Sequence, residues 1–324
     1  MADSLPPPRF HHLHLNSVNP ESAMSWYARV FPNTTATAWN GLPAVATADD
    51  AYLLFDHVAS PPPAAPDTAF WHFGWHVRDA QAELKRLQAR ADVTLAPLYT
   101  GHGERTVYIS SDSWPAKPGT LGRTSAEVAE AIRDGIDPRR KGGFAYMAGP
   151  DGALVEIAGD FDREWLNHVH LFHEEPWCAQ LWYMQHLGAT AMARREVPAA
   201  FASTGSCSVS RGPNTTYPSL VPSGTYRTPA AGVAWGDFTL PSYKPQAAGR
   251  LEPTRGHLLD HLAFAVADLD AWSAKLRSEG VRLLAGEYRL GDTRAFMIEG
   301  PSREAIELVE AGASDTTEEN ARRA

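Results

Sequence analysis

The chain has 324 residues and a formal net charge of −9, with 44% hydrophobic and 21% charged residues. That length predicts two domains or one duplicated pair, each large enough for its own core. The acidic balance argues against a phosphate-binding surface, and no apolar run approaches the roughly 18 residues of a membrane span, so neither nucleic acid nor a bilayer is an expected partner.

The opening MADSLPPPRF lacks a basic start followed by an apolar stretch, which points to a cytoplasmic protein. Cys178 and Cys207 stand 29 positions apart without a CxxC spacing, so they are expected to be packing residues rather than a disulfide or a metal site.

In chain order, the first element is an alternating run at His12-Leu13-His14-Leu15, followed by a helix-period segment ending in Trp26-Tyr27 and a strand in AYLLFDHV. After Pro61-Pro62-Pro63 a second unit opens at His72, continues into the helical AQAELKRLQA and ends in the strand ALVEIAG around Glu156. A third unit repeats the first: HVHLFHEEPWCAQLWY from His168 aligns without a gap to HLHLNSVNPESAMSWY from His12, with Trp-Tyr at offsets 14 and 15 in both. A fourth repeats the second, HLAFAVADLDAWSAKL from His261 matching HFGWHVRDAQAELKRL from His72, and ends in AIELVEA around Glu307.

Each unit reads as βαβββ, which predicts an α+β fold of four modules paired into two cup-shaped, mostly antiparallel halves. The first half is expected over residues 1–162 (modules 10–60 and 70–160), the second over 163–312 (modules 165–245 and 256–311), with a disordered polar tail at 313–324. His72 to Glu156 spans 84 positions against 46 from His261 to Glu307, so the second module carries an insertion placed at 113–143, with a short helix from Thr124 to Ile132. It reads equally as a surface excursion or as a lid over the neighbouring cup. The third module is also long, through RGPNTTYPSLVPSGTYRTPAAG.

Residues two apart on a strand share a face, so His12 with His14, His168 with His170, and His72 with His76 are expected to project together. A single strand histidine is more often a hydrogen-bonded structural residue; four in register across a repeat favour metal ligation. Glu156 and Glu307 sit inside apolar strands, six positions after Pro150 and Pro301, where an uncompensated carboxylate is expensive. The alternative is an exposed glutamate on a half-buried strand.

Together, His-x-x-Leu, Trp-Tyr after the first helix and Gly149-Pro150-Asp151-Gly152 before a last strand make the chain resemble the vicinal oxygen chelate superfamily of glyoxalases, extradiol dioxygenases and fosfomycin and bleomycin resistance proteins. The resemblance implies cups with a metal held by first and last strands, which gives His12, His72 and Glu156 for the first half and His168, His261 and Glu307 for the second. Two histidines and one carboxylate imply Fe(II) first, with Mn(II), Zn(II) or Ni(II) as further divalent candidates, and a small substrate with vicinal oxygens, aromatic among the options. A homo-oligomer is a further expectation.

Similarity to extradiol dioxygenases assigns Tyr146, ten residues before Glu156, as a hydrogen-bond donor to substrate or a proton source; the place before Glu307 is Met297. The further histidine those enzymes place nineteen residues before the glutamate is here Tyr288 or Asp137. His14 and His102 are the candidate acid–base residues, with His76, His170 and His257 behind them. A glyoxalase-like isomerase or lyase is the alternative, with Asp56 or Asp237 as an extra ligand, and a non-catalytic drug-binding protein is the second. Trp71, Trp75 and Trp114 would suit a flat aromatic ligand or simple packing.

Overall fold

The computed structural model describes residues 5–31, 33–48, 50–63, 67–99, 106–112, 130, 133–135, 141–192, 207, 231–245 and 250–311. The first module comprises β1 (Arg9–Ser17), α1 (Pro20–Val30), β2 (Thr35–Trp39), β3 (Leu42–Ala46) and β4 (Tyr52–His57). The second has β5 (Phe70–His76), α2 (Ala80–Gln88), β6 (Thr94–Ala96), a small hairpin of β7 (Leu98–Tyr99) and β8 (Thr106–Val107), then β9 (Phe144–Ala148) and β10 (Leu154–Ala158). The third has β11 (Trp165–Phe172), α3 (Pro176–Leu187), β12 (Thr190–Ala191), β13 (Ala231–Trp235) and β14 (Phe238–Tyr243). The fourth has β15 (Leu259–Val266), α4 (Leu269–Ser278), β16 (Leu283–Leu290), β17 (Thr293–Glu299) and β18 (Ala305–Glu310).

The helix starts repeat for a local reason. Asn19, Asp79 and Asp268 each accept a hydrogen bond from the backbone N–H three residues on, at 2.9, 2.9 and 2.8 Å, satisfying a donor the first turn leaves open. α3 instead starts on Pro176 and ends at Gly188, whose φ of 62° is the left-handed cap glycine adopts without strain.

Strand pairing departs from the expected halves. One eight-stranded sheet runs β16-β17-β18-β15-β1-β4-β3-β2, joining the first module to the fourth; the other runs β12-β13-β14-β11-β5-β10-β9-β6, joining the second to the third. We call them the terminal and the central sheet. The physical reason is that the repeat relates modules one to three and two to four, so either pairing puts one module of each kind in a sheet. The repeat alone does not choose between them.

Each sheet is mostly antiparallel, with parallel pairs only where β1 meets β4, β15 meets β18, β5 meets β10 and β11 meets β14. The alternate residues Leu13, Leu15, Phe73, Val155, Leu262 and Ile306 enter one core shared by both sheets. There Phe31, just after α1, stacks on Trp75 of β5 with centroids 3.9 Å apart, and Phe10 of β1 stacks on Phe238 of β14 at 3.7 Å. Trp75 is thus a core residue.

The repeated Trp-Tyr pairs also bridge modules. Tyr27 is fully buried, and a Cβ added at Gly149 would meet its hydroxyl at 3.0 Å, so α1 rests on the turn before β10. Correspondingly, the Tyr183 hydroxyl donates to Glu304 in the turn before β18. Each tyrosine ties one sheet to the other.

The expectation for the cysteines is overturned: Cys178 of α3 and Cys207 form a disulfide, with Cα atoms 4.9 Å apart. Spacing along the sequence could not show it, because chain folding rather than a short motif brings the two together. Among the described residues no helix is long and apolar enough to cross a membrane. His102, Trp114, Asp137, nearly all of 113–143 and the 313–324 tail lie outside the described residues.

Candidate metal centres

Both sheets gather histidines and a glutamate at the same register. In the terminal sheet His14 lies opposite His261, His12 opposite Ala263, and Ala263 beside Glu307. In the central sheet His170 lies opposite His72, His168 opposite Gly74, and Gly74 beside Glu156. The groups are therefore His12, His261 and Glu307 in one sheet, and His168, His72 and Glu156 in the other. Grouping His12 with His72 and Glu156, or His168 with His261 and Glu307, is corrected by the same strand pairing that crosses the halves.

In the terminal centre His12 Nε2 lies 3.3 Å from Glu307 Oε2 and His261 Nε2 lies 3.9 Å from it. In the central one His72 Nε2 lies 2.8 Å from Glu156 Oε2 and His168 Nε2 lies 3.8 Å from Oε1. All four imidazoles and both carboxylates are buried. Yet the Nε2 atoms of His12, His72, His168 and His261, and Oε2 of Glu307, have no hydrogen-bond partner among the described residues. Close approach without hydrogen-bond geometry is what donors sharing one cation require. The residues fit a divalent metal by this test and by their oxygen and imidazole chemistry.

A third imidazole flanks each triad. Donor atoms of His72, Glu156, His168 and His170 all lie within 4.8 Å of one another, as do those of His12, His14 and His261. His14 stacks on His261 with centroids 4.5 Å apart, and its Nε2 lies 3.2 Å from Asp56 Oδ2.

Electrostatics favours the ligating protonation states. Burial lowers His12 and His168 to about 4, outweighing the attraction of Glu307 and Glu156, and lowers His261 as well. Burial alone would raise Glu307, but His12, His261 and Tyr288 bring it down to about 2; His72, His168 and Tyr146 likewise hold Glu156 below its ordinary value. Neutral imidazoles and ionised carboxylates are what a metal binds.

Two tyrosines orient the carboxylates. Tyr146 on β9 lies opposite Glu156 and donates to it, rather than reserving its hydroxyl for substrate alone. Tyr288 on β16 donates to Glu307. The terminal centre thus has a tyrosine after all, reached from a strand farther away than the ten-residue spacing suggested.

Sequence reasoning also missed the β-bulge residues. Register shifts next to the ligands leave His11, Asn167 and Asp260 bulged, and each meets the far nitrogen of the following histidine: His11 Nδ1 to His12 Nδ1 at 2.7 Å, Asn167 Oδ1 to His168 Nδ1 at 3.2 Å, Asp260 Oδ1 to His261 Nδ1 at 2.6 Å. Gly74 was missed too: a Cβ there would sit 2.6 Å from His168 Nε2 and 2.8 Å from Glu156 Cβ, so its bareness admits the ring. The one sequence signal was a polar or histidine residue just before three of the four histidines.

Other candidates lie apart from the triads. His76 stacks on Phe161 at 3.3 Å, and burial lowers its pKa to about 2. His257 precedes β15 and lines a small cavity with Trp71, Phe70 and Leu258. Asp237 pairs with Arg163 at the surface, a solvated strand-end carboxylate.

Residues 165–308 match the Glyoxalase/Bleomycin resistance protein/Dioxygenase superfamily. That segment, somewhat under half of the chain, is what resembles this superfamily. The matched stretch holds the third and fourth modules, one from each sheet. Among solved structures, glyoxalase I from Zea mays is similar over 96% of this chain and 95% of that chain at 13% identity and a TM-score of 0.60. A candidate dioxygenase from Bacillus subtilis subsp. subtilis str. 168 is similar over 95% of this chain and 86% of that chain at 11% identity and a TM-score of 0.55. At such identities the likeness shows the fold alone. No curated protein matches the chain by sequence.

Proposed function

We propose that the protein is a metal-dependent enzyme that captures a small substrate through two neighbouring oxygens, with dioxygenase chemistry of the extradiol type as its reaction. The observation that carries this reading is the duplicated donor set: two buried imidazoles and one buried carboxylate, rebuilt at one register in both sheets. A divalent ion held by such a triad would supply positive charge and open positions for two substrate oxygens, and iron would add the activation of dioxygen.

The chain's own residues do the rest. Glu156 and Glu307 supply compensating charge, and Tyr146 and Tyr288 hold their orientation. Trp71, whose ring lies 4.5 Å from that of His72 and 6.4 Å from that of Tyr146, offers a flat apolar wall beside the central centre.

One observation favours an isomerase or lyase as the second reading. His14, beside Asp56, is placed to carry a proton next to the terminal centre. A non-catalytic binding protein has less support, because it has no use for two complete donor sets.

The test is metal analysis of protein purified without air, followed by oxygen uptake with a panel of catechols. Bound divalent metal that falls in both His72→Ala and His261→Ala, with oxygen consumed, supports the dioxygenase. Turnover without oxygen uptake moves the reading to isomerase or lyase, and no loss of metal in either variant refutes the ligand assignment.

A further inference from the structure

The two centres share register and donor types but differ in the bulged residue beside one of their histidines. On β15 the register jumps from His14↔His261 to Leu15↔Leu259, and on β5 from His170↔His72 to Leu171↔Phe70. The same bulge therefore inserts Asp260 before His261 and Trp71 before His72.

We infer that the two centres hold metal unequally, the terminal one more tightly, because Asp260 supports His261 through its far nitrogen while Trp71 gives His72 no such support. This rests on the reading of both clusters as metal centres. Asp260 is itself held in place: Oδ1 accepts from Arg255 Nη1 at 2.7 Å, and Oδ2 accepts from Gly256 N at 2.7 Å and Asn16 Nδ2 at 3.3 Å. A fixed carboxylate accepting the Nδ1 proton leaves the Nε2 lone pair facing Glu307 and makes it a stronger donor.

His72 stands in the opposite situation. Its Nδ1 is buried without a hydrogen-bond partner among the described residues, and the Trp71 ring meets it edge-on. Nothing there selects the ligating tautomer, and the unpaired nitrogen costs free energy whichever tautomer forms.

The central donors are the more compactly gathered, with Glu156 among three histidines within 4.8 Å against three histidines alone in the terminal group, and Asp260 acts instead on the donor strength of His261. The partner histidines both have neutral support, from His11 and from Asn167. Arg255 Nη1 lies 3.3 Å from His261 Nδ1, farther than Asp260 Oδ1 at 2.6 Å, and its half-exposed side chain is already paired with Asp260. Asp56 adds negative charge beside His14.

The experiment is titration of metal-free, full-length protein with Co(II), read by absorbance and calorimetry. Two classes of site separated by about 10-fold to 100-fold are expected, the range over which such outer partners act. Glu307→Gln should abolish the tighter class and Glu156→Gln the weaker. Asp260→Asn should weaken the tighter class by about 10-fold or more, while Asp260→Glu retains most of its affinity. Circular dichroism of each variant separates loss of a site from loss of fold; if Asp260→Asn does not fold, the two glutamate variants and Asp260→Glu decide. Two equal classes, loss of the tighter class in Glu156→Gln, or unchanged affinities in a folded Asp260→Asn overturn the inference. A wild-type chain that binds no Co(II) refutes the metal reading itself, and the inference falls with it.

Discussion

The Tyr288 hydroxyl on β16 donates to the Glu307 carboxylate on β18, reaching across β17 to fix a side chain it does not adjoin. Tyr288→Phe removes that bond and leaves the ring. Metal affinity of the terminal centre is expected to fall by about 10-fold to 100-fold, with the central centre unchanged. Competition with a chelating dye checks it, and Tyr146→Phe provides the mirror experiment at Glu156.

Acid should destabilise the metal-free protein before its surface carboxylates titrate. His12 and His168 sit at about 4 in the folded chain because burial disfavours their charged form, against 6.5 when unfolded. Between those values the unfolded chain binds more protons, so stability is lost as pH falls from about 6.5 to about 4. Glu307, at about 2 when folded, adds loss from about 4.5 downward. Denaturant unfolding at pH 7.5 and pH 5 should differ by about 2 kcal/mol per histidine. An unchanged or higher stability at pH 5 contradicts the neutral state of these imidazoles.

Glu304 works in the opposite direction. Burial raises it to about 7 despite hydrogen bonds from Tyr183 and the backbone of Ser302, so the folded chain holds its proton where the unfolded chain does not. Its contribution is fully present below about 4.5 and is lost as pH rises through about 7. Glu304→Gln mimics the protonated carboxyl. Between pH 5.5 and pH 8 wild type should lose about 2 kcal/mol more than the variant, measured by parallel denaturant curves.

The Cys178–Cys207 bridge closes a loop of 29 positions. In the chain-entropy account such a closure stabilises by about 3 to 4 kcal/mol. Thermal melts with and without reductant should show the lower midpoint in the reduced protein, while Cys178→Ser should be insensitive to reductant. Alkylation of both thiols in the native, unreduced protein would show that the bridge does not form.

Much of this architecture was legible beforehand because its signals are local. The four modules show in the repeat, and the six donors that the two sheets gather show as histidines and glutamates set among apolar strand residues. What escaped depends on pairing across the chain. His12 could not be assigned to His261 rather than His72 without knowing which edges meet, and Asp260 had no role until a register shift placed it against His261. The disulfide escaped for the same reason. Tyr146 was expected to serve substrate, and its partner in the structure is the Glu156 carboxylate.

The sheet order is nested: the central sheet is built from one uninterrupted span, whereas the terminal sheet joins the first strand of the chain to its last module. A ribosome releasing this chain exposes every strand of the central sheet before β15 has been made. Its donors His72, Glu156 and His168 can meet while His12 still waits for His261 and Glu307. The long closure separating His12 from those partners makes the terminal sheet the later and slower one to form. The centre supported by Asp260 is therefore the later of the two to assemble, since no chain truncated before the fourth module can build it.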